Sequence, residues 1–170
     1  PKKELTIKGY DITGENIPSG QVGGDYYDFI DIVDNQIGII IGDVSGKGIP
    51  ASLLMATFRA SMIAEIRNNF SIRIICKKVN RLLYESMQPG NFVTAVYGVL
   101  DTKNHILTFS NCGHNLPLML RADGSVEQLS EGGPVLGVTP DAIYEERPVY
   151  IDKNDIVILF TDGVVEVFNK

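Results

Sequence analysis

Apolar and polar positions follow two different periods along this chain. Tyr26 to Val33 and Gln36 to Val44 are rich in β-branched and aromatic residues and join through Asp34-Asn35, a hairpin signal. A looser alternation over Leu5 to Ile17 predicts a further strand. From Ile49 to Ile66 the period changes. Leu53, Leu54, Ala56, Thr57, Ala60, Ile63, Ala64 and Ile66 fall at helical spacing, and Pro50 suits the first turn, where its missing N–H costs nothing. A second helix is expected over Ile72 to Met87, stopped by Gln88-Pro89-Gly90. Short strands follow: Phe92 to Leu100, His105 to Asn111, Leu116 to Arg121, Ser125 to Leu129, Ile143 to Ile151 and Ile156 to Thr161. "DTKN", "CGHN" and "ADG" mark turns between them. Strands, two helices, then more strands predict an α+β class with antiparallel sheet, not alternating β-α-β.

The 170 residues suffice for one domain with a substantial core, so residues 1–170 are read as a single domain. A net charge of −6 argues against a nucleic-acid partner, which needs a basic footprint. No continuous apolar run approaches the roughly 20 residues of a membrane span, so no membrane contact is expected. The start, "PKKELTIKGYD", has no apolar signal core and no Met, and reads as a segment of a longer, multidomain protein. The two cysteines, Cys76 and Cys112, are too few and too far apart in sequence for a disulfide framework or a zinc site. A reducing, cytoplasmic setting is expected.

Candidate chemistry centres on "IIIGDVSGKGIPASLL", Ile39 to Leu54. A phosphate-binding Walker loop reads G-x-x-x-x-G-K-[ST]. Here "GDVSGKG" is one residue short, Gly48 replaces the Ser/Thr, and Asp43 sits where phosphate should lie. Asp43 instead ends an otherwise apolar run, where a carboxylate is costly unless paired or metal-bound. Asp25 begins the partner strand after two glycines. If paired positions sum to 68, Asp25 faces Asp43, Tyr27 faces Ile41 and Phe29 faces Ile39. The two carboxylates would then stand about 5 Å apart. A strict two-residue turn would put them on opposite faces instead. Facing carboxylates repel, and a hard divalent cation such as Mg²⁺ or Mn²⁺ relieves this with oxygen ligands. Asp162, in "IVILFTDGVVEV", likewise ends an apolar strand before a glycine. Asp34 and Asp123-Gly124 are read as turn residues only.

Five motifs, "VGGDYYDF", "IGDVSGKGIPASLLMA", "NCGHNLPLML", "GGPVLGV" and "FTDGVVEV", occur in that order. Together they resemble the metal-dependent PPM-type serine/threonine phosphatases, and more narrowly their bacterial SpoIIE-like branch, from about Ile7 to the end. The resemblance implies an αββα sandwich: two antiparallel sheets face to face, flanked by helices. It implies two Mn²⁺ or Mg²⁺ ions at one end. Asp43 would bridge them, the Val44 carbonyl and Asp25 (directly or through water) would serve the second, and Asp162 the first. Asp28 would support these ligands from behind. The implied reaction is hydrolysis of phosphoserine or phosphothreonine by a metal-activated water. Implied partners are an anti-anti-sigma-factor phosphoprotein as substrate and an N-terminal sensor or receiver domain. The Pro50–Ile66 helix starts directly after the Asp43–Val44 loop, which would let a shift of that helix reach the metal ligands.

The sequence also departs from the family pattern. Members close the first metal site with a further aspartate in an Asp-Asp strand, whereas this sequence stops at Lys170 before one. The C-terminal part of the sandwich is therefore expected to be missing and metal binding to be weak. "IPSGQVGGD" carries no Arg or Lys before Asp25. Lys47 stands where relatives have His or Met, and reads equally as a phosphate contact or a solvated lysine. His114 reads either as part of a strand-to-strand turn or as a general acid. Two other functions remain open at this level. One is a catalytically silent module that only binds a partner. The other is a nucleotidyl cyclase, since "GGDYYDF" superficially resembles a Gly-Gly-Asp-Glu-Phe signature.

Overall fold

The chain was analysed as a computed structural model, which describes residues 5, 7–17 and 23–165. Residues 18–22, within "IPSGQVGGD", and the last ones of "FTDGVVEV" lie outside these.

The fold grows from one hairpin. Strands β1 (Tyr26–Val33) and β2 (Gln36–Val44) pair antiparallel across Asp34-Asn35. Asn35 adopts φ 63°, a left-handed turn conformation that Asn tolerates. Next to the turn Val33 faces Gln36, but beyond an irregularity at Ile32 the register moves by one. From there Asp31 faces Ile37, Phe29 faces Ile39, Tyr27 faces Ile41 and Tyr26 faces Gly42. The expected odd register is thus present, produced by a bulge in β1 and not by a longer loop.

β2 pairs with β3 (Val93–Asp101), and β3 with β4 (Ile106–Cys112), all antiparallel. β4 then pairs with β7 (Gly132–Gly133) and, antiparallel, with β8 (Arg147–Tyr150). The β4–β7 pair is parallel, which corrects the expectation of purely antiparallel sheets. Two glycines show no alternation to read, and the approach is too close for a side chain: a Cβ on Gly132 would lie 1.7 Å from the Asn111 carbonyl oxygen. A second, antiparallel sheet has the order β6 (Val126–Gln128), β5 (Leu118–Leu120), β9 (Ile156–Ile158). The late strands are shorter than their apolar runs suggest, and the Ile143–Ile151 run is strand only within β8. In the Leu5–Ile17 segment no strand forms among the described residues, only an Ile7–Tyr10 bridge around a turn.

Helices α1 (Gly48–Asn68) and α2 (Ile72–Ser86) match the expected spans within two residues. Ala51, Met55, Phe58, Met62 and Ile66 form the buried face of α1. With Ile75, Val79 and Leu83 of α2 they pack on Ile40, Val44, Ala95 and Tyr97 of the large sheet. The opposite side of α1 is apolar too, with Ile49, Leu53, Ala56, Ala60 and Ala64 exposed. α1 is therefore long and apolar enough, by length and composition, to cross a membrane, contrary to the reading from continuous runs. Arg59 and Glu65 interrupt those runs but not the helix, and its buried side belongs to the core. Cys76 and Cys112, distant in sequence, meet at the α2–β4 interface as free thiols.

The other face of the large sheet carries a second core: Leu100, Leu107, Phe109 and Val149 against Met119 and Leu129. Among the described residues the layers are helices, large sheet, small sheet. The outer face of the small sheet leaves Val126, Ile156 and Ile158 exposed.

Phe58 is fully buried and meets Tyr26 edge to face at 6.2 Å. Phe58→Ala is expected to cost about 3–5 kcal/mol in urea unfolding, whereas Phe70→Ala, at an 84% exposed position, should stay within about 0.5 kcal/mol.

Candidate functional site

The β1–β2 register delivers the acidic pair. Tyr26 faces Gly42, so Asp25, one residue earlier, comes opposite Asp43 at the open end of the hairpin. Their contact is close enough for each carboxyl to act on the other. Burial first, then that contact and the charges of Asp25 and Asp162, push Asp43 from an ordinary 3.8 up to about 6, while the Val44 N–H pulls it down. Thr161 Oγ1 donates to Asp25 Oδ2 at 2.9 Å, tying the segment after β9 to this pair. Gly24 fits beneath: a Cβ there would lie 3.1 Å from both Asp43 Oδ1 and the Val44 carbonyl oxygen. The Val44 carbonyl therefore opens on the same side as the carboxylates.

Asp162 starts a short 3₁₀ turn, Asp162–Val164, and is exposed. Its charge reaches Asp43 and His114, yet among the described residues no three acidic or histidine groups close into a ligand cluster. The donor set of two touching carboxylates and a carbonyl suits a hard divalent cation, which would offset their repulsion. A cleft of about 380 Å³ opens beside Asp25, lined also by Asn16, Tyr27, Ile41, Phe160 and Val164. A larger open groove, about 560 Å³, runs past Arg121 and Arg147. Both guanidiniums there are engaged by Asp155, Glu127 and Glu131, so that groove offers no free cationic site.

The other predicted residues separate. Asp28 points to the helix side of β1. Its Oδ2 accepts from Tyr26 Oη at 2.9 Å and pairs with Arg59 of α1 at 3.2 Å, and its Oδ1 accepts from Phe29 N–H. Strand alternation puts it on the opposite face from Asp25, so it braces α1 and does not stand behind the acidic pair. Lys47 is exposed at the N-cap of α1. His114 is buried behind Asp43. Its Nδ1 lies 2.9 Å from Thr94 Oγ1, which sits 3.4 Å from the Asp43 carbonyl oxygen. Its backbone is locked by a reciprocal pair with the Asn111 side chain at 2.7 and 3.0 Å. Burial lowers the His114 pKa, against the Phe160 carbonyl and the charges of Asp25 and Asp162. Its Nε2 is buried without a partner in hydrogen-bond geometry among the described residues. Sequence reasoning missed Gly24, Thr94, Thr161 and Arg59. Thr94 faces Asp43 in the β2–β3 register, so extending the pairing argument by one strand would have found it.

A carboxyl whose folded pKa is raised holds its proton longer in the folded state. Its stabilising contribution is present below pH 3.8 and is lost as pH rises through about 6. In chelator-treated protein the melting temperature is expected to fall across that window, and Asp43→Asn should flatten the fall. A melting-temperature profile against pH for both proteins measures it.

Residues 33–170 match the family described as Stage II sporulation protein E (SpoIIE). Over 157 residues the chain is 31% identical to phosphoserine phosphatase RsbU of Bacillus subtilis (strain 168), covering 92% of this chain and 47% of that protein. The chain thus spans about half the length of this relative. The structure of the RsbU and RsbW domains of Rv1364c from Mycobacterium tuberculosis matches with a TM-score of 0.75 at 25% identity, over 87% of this chain and 41% of that one. The PP2C phosphatase domain of SpoIIE from Bacillus subtilis, solved with a fragment of its regulatory domain, matches with a TM-score of 0.75 at 19% identity. That match covers 88% of this chain and 45% of that one, and at this identity it concerns the fold alone. The α+β sandwich is shared, and with its five ordered motifs and matched residues the chain belongs to the SpoIIE family.

Proposed function

We propose that this chain hydrolyses phosphoserine or phosphothreonine on a regulatory protein, with Asp25, Asp43, Asp162 and the Val44 carbonyl holding two Mn²⁺ or Mg²⁺ ions. The observation that carries this reading is the strand register that brings Asp25 opposite Asp43 at the end of the sandwich, with Asp43 Oδ1 and the Val44 carbonyl oxygen both opening toward Gly24. The likeness to RsbU, a phosphoserine phosphatase, supports the reaction class. An anti-anti-sigma factor as the phosphoprotein, and a sensor or receiver domain N-terminal to this one, complete the proposal.

Divalent ions in such a site lower the pKa of bound water and neutralise charge on phosphoryl oxygens. The chain supplies the rest. Asp43, central in the set, would serve both ions. Thr161 fixes the rotamer of Asp25 through its hydroxyl. Gly24 leaves room for the carboxylate and the carbonyl to share one side. His114 supports the Asp43 main chain through Thr94, a positioning role that fits its burial better than proton delivery. Lys47, exposed beside the loop, is free to meet substrate phosphate.

The partner-binding alternative draws on one observation, the open position of Asp162. The cyclase reading loses its support, because Asp25 lies at the open end of the β1–β2 hairpin and not at its tip.

In the full-length protein, Asp43→Asn is expected to lower Mn²⁺-dependent hydrolysis of p-nitrophenyl phosphate by more than about a hundredfold, and Asp28→Asn by about tenfold or less. A larger loss from Asp28→Asn would reverse the ligand assignment. Full activity in Asp43→Asn would remove the proposed site altogether.

A further inference from the structure

Ser45 lies inside the "GDVSGKG" motif, and the proposed chemistry gives it no part. We propose that Ser45 is a positioning residue, whose hydroxyl and N–H clasp Phe92 and thereby aim the Val44 carbonyl at Gly24 and Asp25. The proposal rests on the reading above, in which that carbonyl is a metal ligand.

The last rung of the β2–β3 ladder is Val44 opposite Val93. One residue on, Ser45 N–H donates to the Phe92 carbonyl oxygen at 3.0 Å. In return Phe92 N–H donates to Ser45 Oγ at 2.8 Å. The side-chain oxygen takes the place of a strand carbonyl, so the two residues form a closed pair just where the chain leaves the sheet. The peptide bond between Val44 and Ser45 is trans, as are all those described. In a trans peptide the N–H and the preceding C=O point in opposite directions. With Ser45 N–H held toward β3, the Val44 carbonyl must point away from β3, toward β1. The 3.1 Å between that oxygen and a Cβ built on Gly24 fits this direction.

The clasp has a rigid side and a soft side. On the rigid side, Val93 and Leu136 exchange two main-chain hydrogen bonds, at 3.1 and 2.8 Å. Leu136 belongs to the "GGPVLGV" motif. Asn80 of α2, fully buried, accepts from Gly137 N–H at 2.8 Å and donates to the Thr139 carbonyl at 2.8 Å. Phe92 is thus anchored through two elements. On the soft side, Gly46 and Gly48 adopt φ 95° and 73°, leaving the main chain after Ser45 free to turn. Without the hydroxyl, a single hydrogen bond would hold the 44–45 peptide against that freedom. A one-bond tether permits the carbonyl to swing off the acidic side.

The test is Mn²⁺ binding to the full-length protein, read by calorimetry and by the electron paramagnetic resonance of bound Mn²⁺. Ser45→Ala is expected to weaken Mn²⁺ about tenfold, while Ser45→Thr, which keeps the hydroxyl, stays within about twofold of the parent. The metal-free melting temperatures of the three proteins should agree closely, separating aim from stability. Parent-like affinity in Ser45→Ala, or Ala-like weakness in Ser45→Thr, overturns the role of the hydroxyl and leaves the metal site standing. Absence of Mn²⁺ binding by the parent protein overturns the metal site and this proposal together.

Discussion

Two acidic side chains are brought side by side by the strands that carry them. Asp25 and Asp43 end adjacent strands, and the energy that keeps them together comes from the packed cores behind, not from the pair itself. The fold is in this sense loaded at one end. Ile40 and Val44 point from β2 into the helix-side core, while Ile39 points into the inter-sheet core, so neither face of the hairpin can shift without unpacking a layer. The bulge at Ile32 then acts as a register device. It converts a two-residue turn, which would place the acids on opposite faces, into a pairing that sets them side by side.

The helix layer is tied to the same hairpin by a different charge. Asp28, only 7% exposed, accepts from Arg59, Tyr26 and Phe29, and the Arg59 guanidinium lies 6.0 Å from the Tyr26 ring centroid. A carboxylate this buried is tolerated because its oxygens are satisfied, and removing one partner leaves the others to carry the desolvation. α1 is therefore fixed at two places: to the Asp43 loop by covalent continuity through Gly46 and Gly48, and to β1 by Arg59. Its outer, apolar side remains uncommitted among the described residues. That combination makes α1 both a lid on the core and the element whose position bears on β1 and β2 together.

Much of this was legible in the sequence because period and punctuation carry it. The hairpin, both helices and the β3–β4 pair follow from alternation and helical spacing. The sum rule for paired positions offers Asp25 opposite Asp43 as one of two registers, and the structure has that one. What escaped lacks a local signal. β7 is two glycines, recognisable only by what approaches them. The bulge changes register without changing composition. Asp28 shares a motif with Asp25, and motif membership hid the fact that residues three apart on a strand face opposite ways. Thr94 and Thr161 reach the acidic pair across long stretches of sequence, so only tertiary structure reveals them. α1 escaped the test for membrane-length segments because charged residues break its apolar runs in sequence while lying on separate faces of the helix.

The two ends of the sandwich are stabilised by opposite means. Away from the acids, Asp155, Arg121, Glu127, Arg147 and Glu131 alternate in sign along one chain of contacts at 2.6 to 3.3 Å, linking β5, β6 and β8 and the loop before β9. Each pair is partly exposed and worth little alone, yet alternation leaves no charge of the chain uncompensated. At the acidic end Asp25, Asp43 and Asp162 share one sign, and Gly24 leaves room for them where a side chain would not. On the proposed reading, a divalent cation would complete the charge balance that this end leaves open.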